Sequence, residues 1–312
     1  MGSTKDSVRP DRAPKLTVGV PIRNNERWIG RAIDSVLGQT FGDLELVISD
    51  NASTDRTVEI CADYAERDPR VRFVQNEQDI GILRNYNRLV ALGRGEYFRW
   101  LGSDDWLEPE YAAECVAALD ANPRCIGVTT YQPHLDDAGN LFYREYRGPR
   151  VESDLPHKRF ARMLWFLQQE HWLMDPNFSM YRRDVLASTQ LLRMMARADR
   201  ILAAELSLLG PYCHVPRALS NRRRSSETVA DVDRKSQVPN LPKFDPSAWN
   251  RFKVLLSVVR DGRLPPYASA HSMAAAFLFY LRDVRRAAWQ RTRARLSSAA
   301  RRVGLRRTAR GA

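Results

Sequence analysis

The first half of the chain alternates short, apolar, β-branched runs with segments of helical periodicity. The apolar runs predict strands at residues 16–20, 44–49, 71–74, 97–101 and 126–131. The periodic segments between them predict helices at residues 28–39, 57–66, 83–92 and 110–121. Because strands joined by helical crossovers lie parallel, this order predicts an α/β fold with a Rossmann-like, mostly parallel sheet flanked by helices.

The second half is less regular, and its composition changes several times. Residues 131–153 form a polar stretch with a hairpin signal near residues 136–140, and two amphipathic helices are expected after it, at residues 157–169 and 200–209. A charged stretch with prolines follows at residues 221–246, and two C-terminal helical segments are expected at residues 247–259 and 269–302. We expect a disordered leader, an α/β domain, a linker or lid, and a helical basic C-terminal extension, at residues 1–14, 15–225, 226–246 and 247–312.

The positive charge is concentrated at the C-terminal end. The net charge is +12, and residues 282–310 hold eleven arginines and one acid, so +10 of it lies there. The nearly neutral remainder argues against a body-wide surface for nucleic acid. Apolar residues interleave with the arginines in a pattern that suits a helix on an anionic membrane surface and, equally, a helix packed on the body with a solvated basic face.

The four cysteines, Cys61, Cys115, Cys125 and Cys213, have neither CxxC pairing nor a metal-ligand spacing. They predict reduced structural thiols, as in a cytosolic protein. The sequence has no apolar run near the ~20 residues that cross a bilayer. We therefore expect a cytoplasmic protein, attached peripherally to the inner face of the membrane if the basic helix binds lipid.

Polar residues follow directly after two of the predicted strands. Asp50 and Asn51 end the second strand, and Asp104 and Asp105 follow the fourth. Ligands of open α/β sheets bind outside the carboxyl ends of the strands, where such groups can hydrogen-bond a nucleoside or hold Mg²⁺ or Mn²⁺. Taken singly, these residues also suit a helix N-cap and an exposed acidic turn. The absence of GxGxxG and GxxxxGK[ST] disfavours dinucleotide and P-loop phosphate binding.

Five segments occur in a fixed order between residues 15 and 224. They are VPIRNNERWI from Val20, SDNASTD from Ser49, NEQDIGILRNYNR from Asn76, GSDDWLEP from Gly102, and ADRILAAELSLLG from Ala198 followed by VPRALSNRRR from Val215. As an ordered set they resemble family 2 glycosyltransferases with the GT-A fold. The specificity lies in the order of the set, because each segment alone is common.

The resemblance implies a nucleotide-sugar half at residues 15–125 and an acceptor half at residues 126–225. The nucleotide-sugar pocket would be lined by Pro21, Arg23, Glu26, Asp50, Asn51, Gly81, Asn85, Ser103 and Asp104. Asp104 would be the chief ligand of a divalent metal, Mn²⁺ or Mg²⁺, and Asp105 would support it. Asp199 would be the catalytic base.

Three further residues are expected at the site on weaker signals. His171 and Trp172 precede a stretch expected to face the acceptor, although Trp172 suits a half-buried core position equally well. Arg224 is expected to place a cation over the donor phosphates. His134 and His214 are predicted to be structural, because neither has a metal-ligand spacing.

Three positions depart from the family's pattern. Arg23 stands where an aromatic residue is usual, and Gly102 replaces the leading acid of a full DXD motif. Ser225 and Ser226 stand where a histidine often follows. The motif is therefore DXD-like, and we expect metal binding that is weaker or that depends mainly on the diphosphate of the donor.

The implied reaction is an in-line displacement with inversion at the anomeric carbon. A sugar would pass from a nucleotide-diphosphate donor, with a UDP-sugar favoured, to an acceptor hydroxyl of a polysaccharide, an envelope glycan or a metabolite. Two alternatives remain at this point: a sugar nucleotidyltransferase, and a non-enzymatic protein whose basic tail binds nucleic acid. The first lacks its glycine-rich phosphate loop and the second leaves the acids at the strand ends unexplained, so no nucleic-acid partner is expected.

Overall fold

The computed structural model describes residues 12–136, 138–169, 178–224, 247–262 and 264–308, and the backbone alone of residues 224, 286, 287 and 290–308. Most of the predicted leader and the whole of the predicted linker, residues 226–246, lie outside the described residues. The described strands are β1 (Leu16–Ile22), β2 (Leu44–Asp50), β3 (Val71–Gln75), β4 (Tyr97–Trp100), β5 (Trp106–Leu107), β6 (Gly127–Tyr131), β7 (His134–Asp136), β8 (Leu141–Phe142), β9 (Met180–Arg182), β10 (Tyr212–Ala218) and β11 (Ser220–Arg224).

A seven-stranded sheet in the order β10-β6-β9-β4-β1-β2-β3 forms the centre of the molecule. All its pairings are parallel except those of β9, which runs antiparallel to both β4 and β6. β1 and β2 are buried along their whole length, as expected for parallel strands covered on both faces. The predicted α/β fold with a mostly parallel sheet is confirmed.

The described helices are α1 (Ile29–Leu37), α2 (Thr57–Arg67), α3 (Ile82–Leu92), α4 (Tyr111–Ala121), α5 (Pro156–Phe166), α6 (Arg183–Ala187), α7 (Ala198–Leu209), α8 (Ala248–Asp261) and α9 (Pro266–Thr308). Helix α1 illustrates why they form, since Ile29, Ala32, Ile33 and Val36 recur at helical spacing and are all buried. Among the described helices, none combines the length and the hydropathy that a bilayer-spanning segment requires.

Two apolar cores cover the two faces of the sheet. One contains buried residues of α1, α2 and α4, such as Ile33, Cys61 and Cys115. The other contains residues of α3, α5 and α7 and also residues of α8 and α9, such as Leu255 and Phe279. The C-terminal helices therefore complete the core of the α/β body over their first turns.

A second, four-stranded sheet in the order β5-β11-β7-β8 lies beside the main one. Strand β11 runs antiparallel to β5 and parallel to β7. Residues 221–224, the first four of the charged stretch, lie in β11, a strand that the sequence patterns do not predict. The hairpin expected near residues 136–140 is confirmed as β7 and β8.

Cys125 and Cys213 form a disulfide with a Cα–Cα distance of 5.8 Å. The expectation of four reduced thiols is therefore wrong for this pair, whereas Cys61 and Cys115 are free and buried. Cys125 precedes β6 and Cys213 lies in the neighbouring parallel strand β10, so strand pairing brings them together. They are 88 residues apart, and their spacing alone carries no sign of this contact.

Candidate active site

The carboxyl ends of β1, β2 and β4 meet at one edge of the sheet. Ile22, the last residue of β1, is opposite Asp50, the last residue of β2, and Gly19 is opposite Trp100 of β4. The loops that leave these three strands carry most of the predicted site residues. Pro21 is buried within β1 beside Ser49 of β2, where it shapes the start of this edge.

Asp50 and Asn85 are almost fully buried and are hydrogen-bonded within the protein. The Asp50 carboxylate accepts hydrogen bonds from the backbone N–H (3.0 Å) and the hydroxyl of Ser53, which fixes the turn after β2. The Asn85 amide donates to the Ser49 carbonyl (2.7 Å) and accepts from the Ser49 hydroxyl (2.6 Å). Both side chains thereby fix the loops around the predicted nucleoside pocket, and their contact with a nucleoside stays a prediction.

Asp79 joins three of the predicted pocket residues. Its carboxylate pairs with the Arg23 guanidinium and accepts from the Asn51 amide (2.5 Å) and the Gly81 backbone N–H (2.8 Å). Gly81 has φ of +85°, a conformation that favours glycine, and helix α3 begins directly after it. The side-chain oxygen Oδ1 of Asn51 in turn accepts from the Ile80 backbone N–H at 2.9 Å. Arg23 is exposed at this position, so its guanidinium faces solvent beside a preorganised loop.

The loop after β1 is tied to both neighbouring loops. The Asn25 amide donates to the Ser103 hydroxyl at 2.7 Å, which links the β1 and β4 loops. The Glu26 carboxylate accepts from the Arg56 backbone N–H at 2.9 Å, at the start of α2. Asn24 has φ of +48°, a strained conformation of the kind that concentrates at functional sites. Glu26 and Ser103 therefore lie at the same edge as Asp50.

Asp105 is buried behind the turn that follows β4. Its side chain is 2% exposed, and its carboxylate accepts from the Arg222 guanidinium (3.2 Å) and the Arg223 backbone N–H (3.0 Å). Burial raises the pKa of the Asp105 carboxyl to about 6, and the positive charge of Arg222 opposes that shift. These contacts fix strand β11 across the turn that carries both acids.

Asp104 points from the same turn toward solvent. Its side chain is 30% exposed, and its carboxylate pairs with the Arg223 guanidinium at 3.2 Å. The guanidinium carbon of Arg223 also lies 5.0 Å from the ring centroid of Trp28. The exposed edge thus presents one carboxylate, one guanidinium and one indole side by side.

Gly102 explains why this turn lacks the leading acid of a full DXD motif. A Cβ atom added at Gly102 would lie 2.5 Å from Oδ2 of Asp105. That oxygen is held by Arg222 and cannot easily move away. A side chain at residue 102 is therefore incompatible with the observed position of Asp105.

The residues at this edge suit a divalent cation only if the cation also receives oxygen atoms from elsewhere. Within the described part of the chain, no three histidine, cysteine or acidic side chains converge on one point. Asp104 offers one accessible carboxylate, whereas Asp105 is engaged with β11. Mg²⁺ and Mn²⁺ commonly bind through one or two carboxylates plus substrate phosphates and water, so Asp104 fits that role.

Asp199 lies in the first turn of α7, at the positive end of the helix dipole, and is half-buried. Arg197, just before the helix, has φ of +59°, and Leu191 has φ of +51°. The Asn87 side chain of α3 clamps this segment through two hydrogen bonds with the backbone of Leu192, at 2.9 and 3.0 Å. The segment that leads into α7 is thus fixed to α3, whose own first residue follows Gly81.

Three predicted residues cannot be placed from their side chains. His171 and Trp172 lie outside the described residues, and Arg224 is described only as the last backbone position of β11. Asp79, Arg222 and Arg223 contact the predicted site residues although the sequence analysis did not select them. The three consecutive arginines were the available signal for the last two.

Comparison with known proteins assigns this arrangement to a family. The chain is 27% identical over 251 residues to the chondroitin synthase of Escherichia coli, which covers 80% of this chain and 33% of that protein. It spans between 15% and 43% of the length of the first five curated relatives that it matches.

Solved structures share the fold at low sequence identity. S. aureus TarS in complex with UDP-GlcNAc superposes with a TM-score of 0.61 at 16% identity, over 85% of this chain and 72% of that one. The mannosyltransferase PcManGT from Pyrobaculum calidifontis, in complex with GDP-Man and Mn²⁺, superposes with a TM-score of 0.55 at 17% identity, over 92% and 81%. The family model described as glycosyl transferase family 2 matches residues 17–189, more than half of the chain. The chain therefore belongs to glycosyltransferase family 2, with the GT-A fold.

Proposed function

We propose that this glycosyltransferase transfers a hexose from a nucleoside diphosphate sugar to an acceptor hydroxyl, with metal assistance and with inversion at the anomeric carbon. The observation that carries the proposal is the Asp104–Asp105 turn, which lies at the carboxyl edge of the sheet and pairs with Arg222 and Arg223 of β11. Ligands of open α/β sheets bind at such an edge.

The donor's nucleoside would lie between the loops that follow β1 and β2. Arg23 is an exposed cation there. It pairs with Asp79, whose carboxylate is held by the Asn51 side-chain amide and the Gly81 backbone N–H. A guanidinium plane can stack on a base, so Arg23 can replace an aromatic residue in that role. A related fold binds UDP-GlcNAc in TarS and another binds GDP-Man in PcManGT, which supports a nucleoside diphosphate sugar here. We favour a UDP-sugar.

The diphosphate would lie over the turn that follows β4. A divalent cation bound to Asp104 would supply Lewis-acid stabilisation of the charge on the leaving diphosphate. Arg223, which pairs with Asp104, would turn from the carboxylate to a phosphate oxygen when the donor binds. Asp105 holds β11 in position throughout, because both of its partners lie on that strand.

Asp199 would remove the proton from the acceptor hydroxyl as that oxygen attacks the anomeric carbon. The new carbon–oxygen bond forms as the bond to the diphosphate breaks, and the proton ends on the Asp199 carboxylate. Attack opposite to the leaving group inverts the configuration. The left-handed residue Arg197 and the clamp from Asn87 fix the start of α7, which a positioned base requires.

The acceptor would be a growing polysaccharide or an envelope glycan. The E. coli relative is a chondroitin synthase, and this supports a carbohydrate acceptor. Because the chain spans a third of that protein, the similarity does not extend to the complete synthase.

The proposed base is tested by the turnover of the donor with water as the acceptor. We expect Asp199→Asn to lower the release of nucleoside diphosphate by about 10²- to 10⁴-fold and to leave donor binding within twofold. Asp184→Asn is the matched control, since Asp184 also lies in the first turn of a helix, α6. For an α-linked donor, proton NMR should detect the β-anomer of the released sugar first.

Unchanged turnover in Asp199→Asn would remove Asp199 from the mechanism. Release of the α-anomer first would contradict inversion. Production of pyrophosphate from a nucleoside triphosphate and a sugar phosphate would instead establish a nucleotidyltransferase.

A further inference from the structure

Exposed apolar side chains are concentrated on the C-terminal helices. Of the thirteen large hydrophobic residues exposed in the described structure, eight lie on α8 and α9: Trp249, Tyr267, Met273, Phe277, Leu278, Leu281, Val284 and Trp289. Phe277 is 48% exposed and Trp289 is 67% exposed. Contiguous apolar surface of this kind on a soluble body marks an interaction site.

These residues form a continuous stripe along α9. Met273, Phe277, Leu281 and Val284 are separated by four, four and three residues, so they lie on one side of the helix. Leu278 and Trp289 are eleven residues apart, which is three helical turns, and extend the stripe on one flank. The exposed apolar face therefore runs along at least three turns.

The opposite side of α9 is occupied by the body. Ala268, Ser272, Ala276 and Phe279 are buried there, at spacings of four, four and three residues. In the next turn, Asp283 pairs with Arg251 of α8 at 2.5 Å. Within the stripe, the Phe277 ring contacts Phe252 of α8, with 6.0 Å between the ring centroids, and still leaves 48% of the residue exposed. The rest of the stripe is directed away from the buried side of the helix, so packing on the body accounts for only part of it.

The charge around the stripe has one sign. Arg282 and Arg285 are exposed beside Leu278 and Trp289. The sequence of α9 contains ten arginines and one acid, Asp283, and that acid is turned inward and paired. The helix therefore combines an exposed apolar stripe, two exposed arginines beside it and a strongly cationic sequence.

We propose that α9 binds the surface of an anionic lipid bilayer, with its stripe inserted among the headgroups. An anionic surface complements the arginines, and an acyl interface accommodates Phe277, Leu281 and Trp289. A second copy of the chain is a poorer occupant, because it would bring two strongly cationic helices together. The contact also reaches the acceptor half, because Arg282 hydrogen-bonds Gln168, just after α5, at 3.1 Å.

Sedimentation with vesicles tests this inference on the full-length protein. We expect binding to vesicles of phosphatidylglycerol and phosphatidylcholine, and weak binding to phosphatidylcholine alone. Binding should fall as the salt concentration is raised from about 0.1 M to about 0.5 M, because salt screens the attraction between the arginines and the anionic lipid. Phe277→Ser/Leu281→Ser should lower the partition coefficient by at least about tenfold. Leu141→Ser/Leu209→Ser removes two exposed leucines elsewhere and should bind like the wild type.

Tryptophan fluorescence gives a second measurement of lipid contact, and it does not require a variant that could destabilise the protein. Brominated lipid should quench a component of the tryptophan fluorescence that is absent in Trp289→Phe. The proposal would be overturned if the wild type did not bind vesicles, or if the leucine control lost as much binding as Phe277→Ser/Leu281→Ser. It would also be overturned if the protein bound no lipid and formed a dimer that Phe277→Ser/Leu281→Ser dissociates. Binding of nucleoside diphosphate, measured on the same variants, reports separately on the donor site.

Discussion

Asp104 and Asp105 are neighbours in the chain but have different surroundings. Asp105 is buried against Arg222 and the Arg223 backbone, whereas Asp104 is partly exposed and shares Arg223. Two adjacent carboxylates repel each other unless cations separate their charges, and the two arginines do so here. The arrangement leaves one carboxylate structural and the other accessible to a ligand.

His214 provides a prediction about pH at the residue scale. Its Nδ1 lies 2.9 Å from the Thr129 hydroxyl, and burial lowers the pKa of the imidazole to about 4, with the charge of Arg150 adding to this effect. Between pH 6.5 and about 4 the unfolded chain binds a proton that the folded chain does not. The stability that neutral His214 contributes above pH 6.5 should therefore be lost as the pH falls toward 4. We expect the free energy of unfolding to decrease by about 2 kcal/mol over this range, a figure that allows for solvent screening of the charge.

Urea denaturation at several pH values checks this prediction. In His214→Gln the free energy of unfolding should decrease less steeply than in the wild type between about pH 7 and about pH 4, the range in which the histidine titrates. Leu141→Gln, which changes an exposed residue to one that carries no charge, is the control and should keep the wild-type slope. An unchanged slope in His214→Gln would refute the prediction.

At the scale of elements, local patterns were sufficient for the first half of the fold. The starts and ends of β1–β4 and α1–α4 lie within two residues of their predicted positions, because apolar periodicity and turn residues determine them locally. β9 has three residues and was not predicted, since such a short strand is defined by its partners β4 and β6. β11 was not predicted as a strand for the same reason, because its partners are β5 and β7.

Contacts between distant segments account for what the sequence could not reveal at the site. Arg223 and Asp104 are 119 residues apart in the chain, and the register of β11 decides which of three consecutive arginines reaches the carboxylate. Asp79 lies in the segment NEQDIGILRNYNR, but only the conformation of its loop brings it to Arg23 and Asn51. Asp50 was predicted from its place at a strand end, and its burial follows from the turn at Ser53.

Strand β11 carries a prediction about charge. In Arg223→Gln, Asp104 loses its cation, so Mn²⁺ alone should bind more tightly than to the wild type. The complex of Mn²⁺ with nucleoside diphosphate should bind about tenfold more weakly, because a charged hydrogen bond to phosphate is lost. Isothermal titration measures both affinities. Arg217→Gln is the control, since Arg217 lies on β10, a strand of the other sheet, and pairs with Glu114. Unchanged affinities would exclude the proposed exchange of partners.

At the scale of the whole molecule, the C-terminal helices serve two surfaces. Their inner sides supply Leu255, Val259 and Phe279 to the core that covers α5 and α7, while the outer side of α9 is exposed. The sequence analysis left packing on the body and binding to a membrane as alternatives. The structure places different residues of the same helix in positions suited to each.

Shared packing predicts that these helices stabilise the whole body. Leu255 is buried, so Leu255→Ala should lower the free energy of unfolding by about 2–4 kcal/mol. Leu278→Ala, at an exposed position of α9, should change it by less than about 0.5 kcal/mol. Denaturation followed by circular dichroism compares the two variants. Equal and small effects would mean that the helices do not contribute to the core.

The central claim is that the carboxyl edge of the sheet binds a nucleoside diphosphate with a metal at Asp104. Calorimetry with UDP and GDP, with and without Mn²⁺, tests it on the wild type, on Asp104→Ala and on Asp43→Ala, an acid before the opposite end of β2. We expect metal-dependent binding of one nucleotide, lost in Asp104→Ala and retained in Asp43→Ala. Binding of neither nucleotide by the folded wild type, or metal-dependent binding that survives in Asp104→Ala, would contradict the claim.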